Sequence, residues 1–88
     1  MQVEFRKTFK QDLKNIKDSK VLKRIQKVVE EVELANALSE ICNIKSLQGH
    51  EDFYRIRVGD YRVGLFIEAE VVAFVRVLHR KEVYRCFL

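Results

Sequence analysis

Three arginines alternate through one stretch of the chain, FYRIRVGDYRVGLFI at residues 53–67. With Gly59-Asp60 as a two-residue hairpin turn of type II′, Val58 pairs with Tyr61, Arg57 with Arg62 and Arg55 with Gly64. Arg57 and Arg62 then face each other on one side of the sheet. Like charges directly opposite destabilise a strand pair, and local rules of this kind are broken mostly at functional sites. A phosphate set between the two turns repulsion into attraction, because a guanidinium grips phosphate oxygens bidentately. Gly64 beside Arg55 leaves room for a ligand to approach the sheet. The expected ligand is an RNA phosphate. The competing expectation is that acids from the middle of the chain neutralise the arginines.

A second cluster closes the chain in LHRKEVYRCFL, where His79, Arg80, Lys81 and Tyr84 fall within six residues. A histidine and a tyrosine among fixed cations suit acid–base work on a phosphodiester. Tyr84 can also stack on a base or anchor the tail. His50 stands in a loop among acids and is expected to be solvated.

These groups need a frame. QVEFR alternates Val3 and Phe5 with polar neighbours and predicts a short first strand. Thr8 is a candidate cap for a helix whose face is Phe9, Leu13 and Ile16. Lys10, Lys14 and Lys17 repeat at the same spacing on a neighbouring stripe, either a phosphate contact or the solvated side of the helix. Asp18-Ser19 breaks the pattern, with Ser19 as candidate cap, and a second apolar face runs from Val21 to about Leu38. The short break predicts a helical hairpin. Residues 39–52 are irregular, with Ile41, Ile44 and Leu47 as a partial turn or extended arm and QGHED as a loop. After the hairpin, a third strand of that sheet is expected from Val71 to His79. Continued pairing puts Val71, Ala73, Val75, Val77 and His79 on the arginine side and turns Arg76 and Arg80 coreward. A bulge or strand end is therefore expected near residue 79. The order is β-α-α-β-β-β, an α+β fold of two layers: one antiparallel sheet with an N-terminal helical hairpin on one face.

Composition fits that frame. The 88 residues are 48% hydrophobic and 34% charged, with no proline and three glycines, the balance of a single globular domain over 1–88. Net charge is +4, unevenly spread. Residues 1–27 carry nine Lys/Arg against three acids, whereas residues 28–52 hold six acids against Lys45. Basic ends around an acidic middle suggest a positive side suited to a polyanion. No apolar run approaches the ~18 residues of a membrane span, and no leader peptide is seen. Cys42 and Cys86 stand alone, without CxxC or histidine-rich context, which fits a reduced cytoplasm better than a disulfide scaffold or a structural zinc site.

FYRIRVGDYRVGLFI followed by VRVLHRKEVY resembles the RelE toxins of bacterial and archaeal toxin–antitoxin pairs, within the wider RelE/ParE superfamily. The similarity spans nearly the whole chain. It implies an endoribonuclease, an mRNA interferase that cuts mRNA in the ribosomal A site without metal or cofactor and so stops translation. The 2′-OH attacks the adjacent phosphate, leaving a 2′,3′-cyclic phosphate and a 5′-OH. It also implies a cognate RelB-type antitoxin that covers the active site. By motif position the catalytic cations fall on Arg55, Arg57, Arg62 and Arg80, with Tyr84 as the stacking or acid–base tyrosine. Several members carry lysines where this chain has Arg55 and Arg57. Arginine stays protonated and is a poor general base, so proton removal falls to His79, Tyr84, Lys81 or water. The expected site is thus an Arg57, Arg62 and Arg80 clamp with His79 or Tyr84 moving protons. Lys10, Lys14 and Lys17, with Lys81, are the expected RNA contacts. Two other readings stand beside this one. One is a ParE-like toxin that poisons DNA gyrase; the other is an inactive module that binds an antitoxin, with the complex on operator DNA.

Overall fold

The computed structural model describes residues 1–83; Tyr84 and the tail residues Cys86, Phe87 and Leu88 lie outside them. The chain runs β1 (Gln2–Phe5), α1 (Lys7–Asn15), α2 (Ser19–Leu34), a 3-10 turn (Leu38–Glu40), β2 (Ile44–Ser46), β3 (Phe53–Val58), β4 (Tyr61–Glu68) and β5 (Val71–His79). The expected α+β architecture is present, with corrections to the sheet. It has five strands in the order β1-β5-β4-β3-β2, and β1 lies parallel to β5, so it is mixed and not purely antiparallel. The strand missed in the sequence is β2. Its three residues are too few to show alternation, but Ile44, Lys45 and Ser46 pair with Ile56, Arg55 and Tyr54.

The helices start one or two residues before the expected caps. Asp18, and not Ser19, caps α2, its side chain accepting from Lys20 N at 2.9 Å. The cap position of α1 is Arg6, and Thr8 lies inside the helix with its hydroxyl donating to Val75 O at 2.6 Å. The second helix ends at Leu34, four residues short of the expected Leu38. Without a glycine there, its last carbonyls accept from the Met1 amino group, which donates to Glu33 O at 2.9 Å and Ala35 O at 2.7 Å.

The core lies between helices and sheet. Phe9, Ile25 and Val32 from the helices meet Ile56, Val58, Val63, Leu65 and Ile67 from the hairpin. These hairpin residues lie on the face opposite the arginines. Phe5, Phe9 and Phe74 stack with ring centroids 5.4–5.9 Å apart, tying β1, α1 and β5 together.

The strand β5 departs most from expectation. The strand ends at His79, one of the two outcomes expected there, and a bulge not foreseen lies at Val75. Gly64 pairs with Arg76 and Leu65 with Phe74, leaving Val75 unpaired. One extra residue inverts parity from there on. Val71 and Ala73 keep the arginine side as expected. Val77 and His79 do not: Val77 pairs with Val63 in the core, and His79 pairs with Tyr61. Leu78 pairs with Arg62 on the other side, and Arg80, just past the strand end, is exposed and not turned coreward as expected. This removes the awkward row of valines from the wet face.

Beyond Phe74 the strand β1 has ended, and α1 covers the bare edge of β5. Arg6 N donates to Phe74 O at 2.9 Å, Thr8 takes Val75 O, and Asp12 Oδ2 accepts from Val77 N at 3.1 Å. Arg76 reaches the same carboxylate through Nε at 2.7 Å and Nη2 at 3.1 Å. A sheet edge left with unpaired groups invites other strands; here a helix and one acid satisfy them.

Candidate functional site

The face of the sheet away from the helices carries the cations. On it, Arg57 lies opposite Arg62 and Arg55 opposite Gly64, as the hairpin spacing predicts. Val58 and Tyr61 flank the turn as its hydrogen-bonded pair, so Arg57 and Arg62 form a non-hydrogen-bonded pair, the kind whose side chains come closest. A second like-charge pair was not foreseen: Lys45 of β2 stands directly opposite Arg55. Asn43, Ile44, Lys45, Arg55 and Arg57 line a cleft of about 220 Å³ beside these pairs. Lys45 was hidden because it is the lone base of an acidic segment and sits on the strand that sequence periodicity missed.

The acids of the middle segment do not neutralise this face. Among the described residues the ion pairs are Arg76 with Asp12 and, at 4.0 Å, Arg80 with Asp60. Arg55, Arg57 and Lys45 take part in neither.

The hairpin turn holds the Arg62 guanidinium and the Arg80 backbone. Gly59 has φ of 61° while Asp60 stays out of the left-handed region, the pattern of a type II′ turn. Arg62 Nη1 donates to Gly59 O at 2.9 Å and Tyr61 O at 3.0 Å. Arg80 N donates to Asp60 O at 2.7 Å. Arg57, Arg62 and Arg80 are thus gathered around one turn. From the helix side Arg24 approaches it as well: a Cβ on Gly59 would lie 2.6 Å from Arg24 Nη1. Gly59→Ala should therefore cost about 1 kcal/mol from the left-handed backbone, with Arg24 swinging aside. Urea denaturation reads this, and an unchanged midpoint would mean the turn is not type II′.

His79 is not with the arginines. Its ring meets Tyr61 edge-on at 5.5 Å, on the side of Val77 and α1, and its Nδ1 accepts from Lys81 N at 3.2 Å. Lys81 is exposed in the following turn, next to Arg80. Tyr84 lies outside the described residues. Lys10 and Lys14 are exposed on α1, but Lys17 falls beyond the helix end at Asn15, its Nζ 3.4 Å from Lys14 O. The lysine stripe is therefore two helical residues and one in the link, on the layer opposite the arginines. Lys10 also borders an apolar groove of about 350 Å³ lined by Phe5, Leu13, Leu22 and Val29.

The one thiol among the described residues, Cys42, is exposed. Its pKa is raised by a hydrogen bond to Glu31, by that carboxylate's charge and by desolvation, which makes it a weak nucleophile at neutral pH. No group of three His, Cys, Asp or Glu side chains among the described residues is placed to hold a metal ion. No helix among them is long and apolar enough to cross a membrane.

What this arrangement can do is grip an anion. Guanidiniums on a rigid hairpin offer fixed donors to a phosphate and to charge that develops on it.

Comparison with known proteins places the chain in a family. Residues 3–84 match the family model described as the ParE toxin of the type II toxin–antitoxin system parDE. The chain is 42% identical to Toxin RelE3 of Methanocaldococcus jannaschii over 88 residues, 99% of each protein. Its fold matches a chain of the RelB-RelE antitoxin-toxin complex from Methanococcus jannaschii with a TM-score of 0.82 and 40% identity, covering 96% of this chain and 98% of that one. A chain of the archaeal RelE-RelB complex from Pyrococcus horikoshii OT3 shares the fold with a TM-score of 0.72 at 23% identity, over 90% and 93% of the two chains. By these matches the chain is a toxin of a type II toxin–antitoxin system, a member of the ParE toxin family by its family model and a RelE toxin by its nearly full-length relative.

Proposed function

We propose that this toxin is an endoribonuclease that cleaves mRNA in the ribosomal A site. The observation that carries the reading is the pair of like-charge cross-strand contacts, Lys45 with Arg55 and Arg57 with Arg62, on a sheet face where Lys45, Arg55 and Arg57 have no acid partner among the described residues. The 2′-OH attacks the neighbouring phosphorus. A new 2′-O–P bond forms, the P–O5′ bond breaks, and a 2′,3′-cyclic phosphate and a 5′-OH result. Arg57, Arg62 and Arg80 hold the phosphate and the charge that builds on it, and Arg55 with Lys45 continues the grip along the RNA backbone. These fixed cations supply the charge stabilisation that a metal gives other nucleases, so the reaction is proposed to need none. The 2′-OH proton passes to Tyr84, Lys81 or water, and the leaving oxygen takes one up.

The remaining parts of the proposal concern partners. A RelB-type antitoxin is the expected partner, since the similar solved structure is an antitoxin-toxin complex. The groove beside Phe5 and Leu22 is shaped for an apolar helix face. Lys10, Lys14 and Lys17 grip ribosomal RNA from the helix layer while mRNA lies on the sheet. The toxin acts in the cytoplasm, and with its antitoxin it sits on operator DNA.

Primer extension on mRNA from induced cells, beside an Arg62→Ala variant, tests this. Cuts within codons, dependent on translation and absent in the variant, are expected. The family model's ParE description supports a second reading, a gyrase poison; growth arrest and lost supercoiling with intact mRNA would favour it. Neither cuts nor arrest would leave an inactive antitoxin-binding module.

A further inference from the structure

His79 holds the end of β5 in two ways. Its carbonyl accepts from Glu82 N at 2.8 Å, closing a tight turn over residues 79–82. Its ring Nδ1 accepts from Lys81 N at 3.2 Å inside that turn. A backbone N–H can only donate. In this bond Nδ1 is the acceptor, which leaves Nε2 as the nitrogen that carries the ring proton. The edge-on contact with Tyr61, its cross-strand partner, sets the ring plane.

Between the two residues so joined lies Arg80. Its own N–H is engaged by Asp60 O at 2.7 Å, and its guanidinium Nε lies 4.0 Å from Asp60 Oδ1. The Arg80 backbone is thus fixed from both sides: by the hairpin turn at its amide, and by the His79 ring one residue on. The side chain itself is 60% exposed, so little but its backbone sets its direction. The bulge at Val75 puts the His79 ring in the register of Val77, on the side away from Arg62, while Arg80 beyond it is exposed, a placement that serves a support and does not serve a proton carrier.

We propose that His79 is a positioning residue. Its Nδ1 acceptor holds the 79–82 turn and thereby aims Arg80 at the scissile phosphate of the RNA, and it exchanges no proton with that substrate. This rests on the nuclease reading above. The same observations give it a sharp chemical signature, because the two ring nitrogens have different amide mimics. Asparagine places Oδ1 where Nδ1 stood; glutamine places its oxygen nearer Nε2. Neither can carry a proton in acid–base catalysis.

The experiment compares His79→Asn, His79→Gln and His79→Leu in the full chain by ribosome-programmed mRNA cleavage and by NMR of the Lys81 amide and the Arg80 Nε–H. The expected result is that H79N keeps wild-type Lys81 exchange protection and Arg80 shifts, and cleaves within about threefold of wild type. H79Q and H79L lose the protection, shift Arg80 and cleave at least about tenfold more slowly, as misplacement of a clamp group predicts. Loss of cleavage in H79N with Lys81 still protected would overturn the proposal and make His79 a proton carrier. Equal activity in all three variants would overturn it too. A failed nuclease reading looks different: the wild type then cuts nothing, and the positioning claim is decided by whether the Arg80 resonance follows the acceptor through the series.

Discussion

Arg57→Gln should raise the melting temperature of the toxin and, on the proposed nuclease reading, remove cleavage. Arg57 faces Arg62 in a non-hydrogen-bonded pair near the turn. Like charges in such a pair cost up to ~1 kcal/mol, so glutamine should gain about 0.5–1 kcal/mol. For a domain of this size that is an increase in Tm of about 2–8 °C. Arg57 is exposed, so the shorter, neutral but still polar glutamine loses little packing and the sign is not obscured. Cleavage should fall about 10²–10³-fold, the range seen when one preorganised donor to a developing charge is removed. High salt should shrink the stability gain, since it screens exposed charges. Calorimetry and primer extension on the same protein preparations decide it. A lower Tm would mean that the pair is stabilising, and the argument that this face is kept for an anion would lose its premise.

Asp12→Ala should be the most destabilising single change at a charged residue of the chain. Its carboxylate joins Arg76 by two bonds and accepts from Val77 N. The two side chains retain 10% and 26% of their exposure, so the pair is mostly, not wholly, desolvated. Removing one partner of such a pair costs about 3 kcal/mol, lowering Tm by about 12–24 °C. Adding Arg76→Leu should recover much of the loss, because the cation left behind goes too. The residual cost, about 1–2 kcal/mol, is the orphaned Val77 amide. A double-mutant cycle by urea denaturation measures the coupling. Additive losses would show that Asp12 acts through the strand edge alone.

The hairpin was legible in the sequence because everything that defines it is local. Gly59-Asp60 fixes the turn, the turn fixes the register, and period-two alternation then assigns Ile56, Val58, Val63 and Leu65 to the core and the arginines to the other face. The helices were legible for the same reason, with caps displaced by a residue or two because Asp18 and Ser19 offer equivalent oxygens. What failed was whatever depends on a partner far along the chain. Strand β2 exists because β3 is there to pair with, and Lys45 joined the cation face only through it. Asp12 is one acid among helix lysines in the sequence, and its partners lie 64 and 65 residues away. The bulge at Val75 leaves no mark on composition or periodicity, since valine suits a strand on either face. His79 was misplaced through that single omission.

The unpaired valine also bears on how such a toxin changes over evolutionary time. Everything downstream of it is read in a side-to-side frame that one inserted or deleted codon can flip. With the bulge, the arginine face receives Leu78, with Arg80 exposed just past the strand end. Without it, the same strand would present Val77 and His79 there, exchanging a permanent cation for a titratable ring while the helices, hairpin and sequence motif stayed as they are. On the proposed nuclease reading, a length change of one residue would thus trade a charge-clamping version of the site for a proton-transferring one.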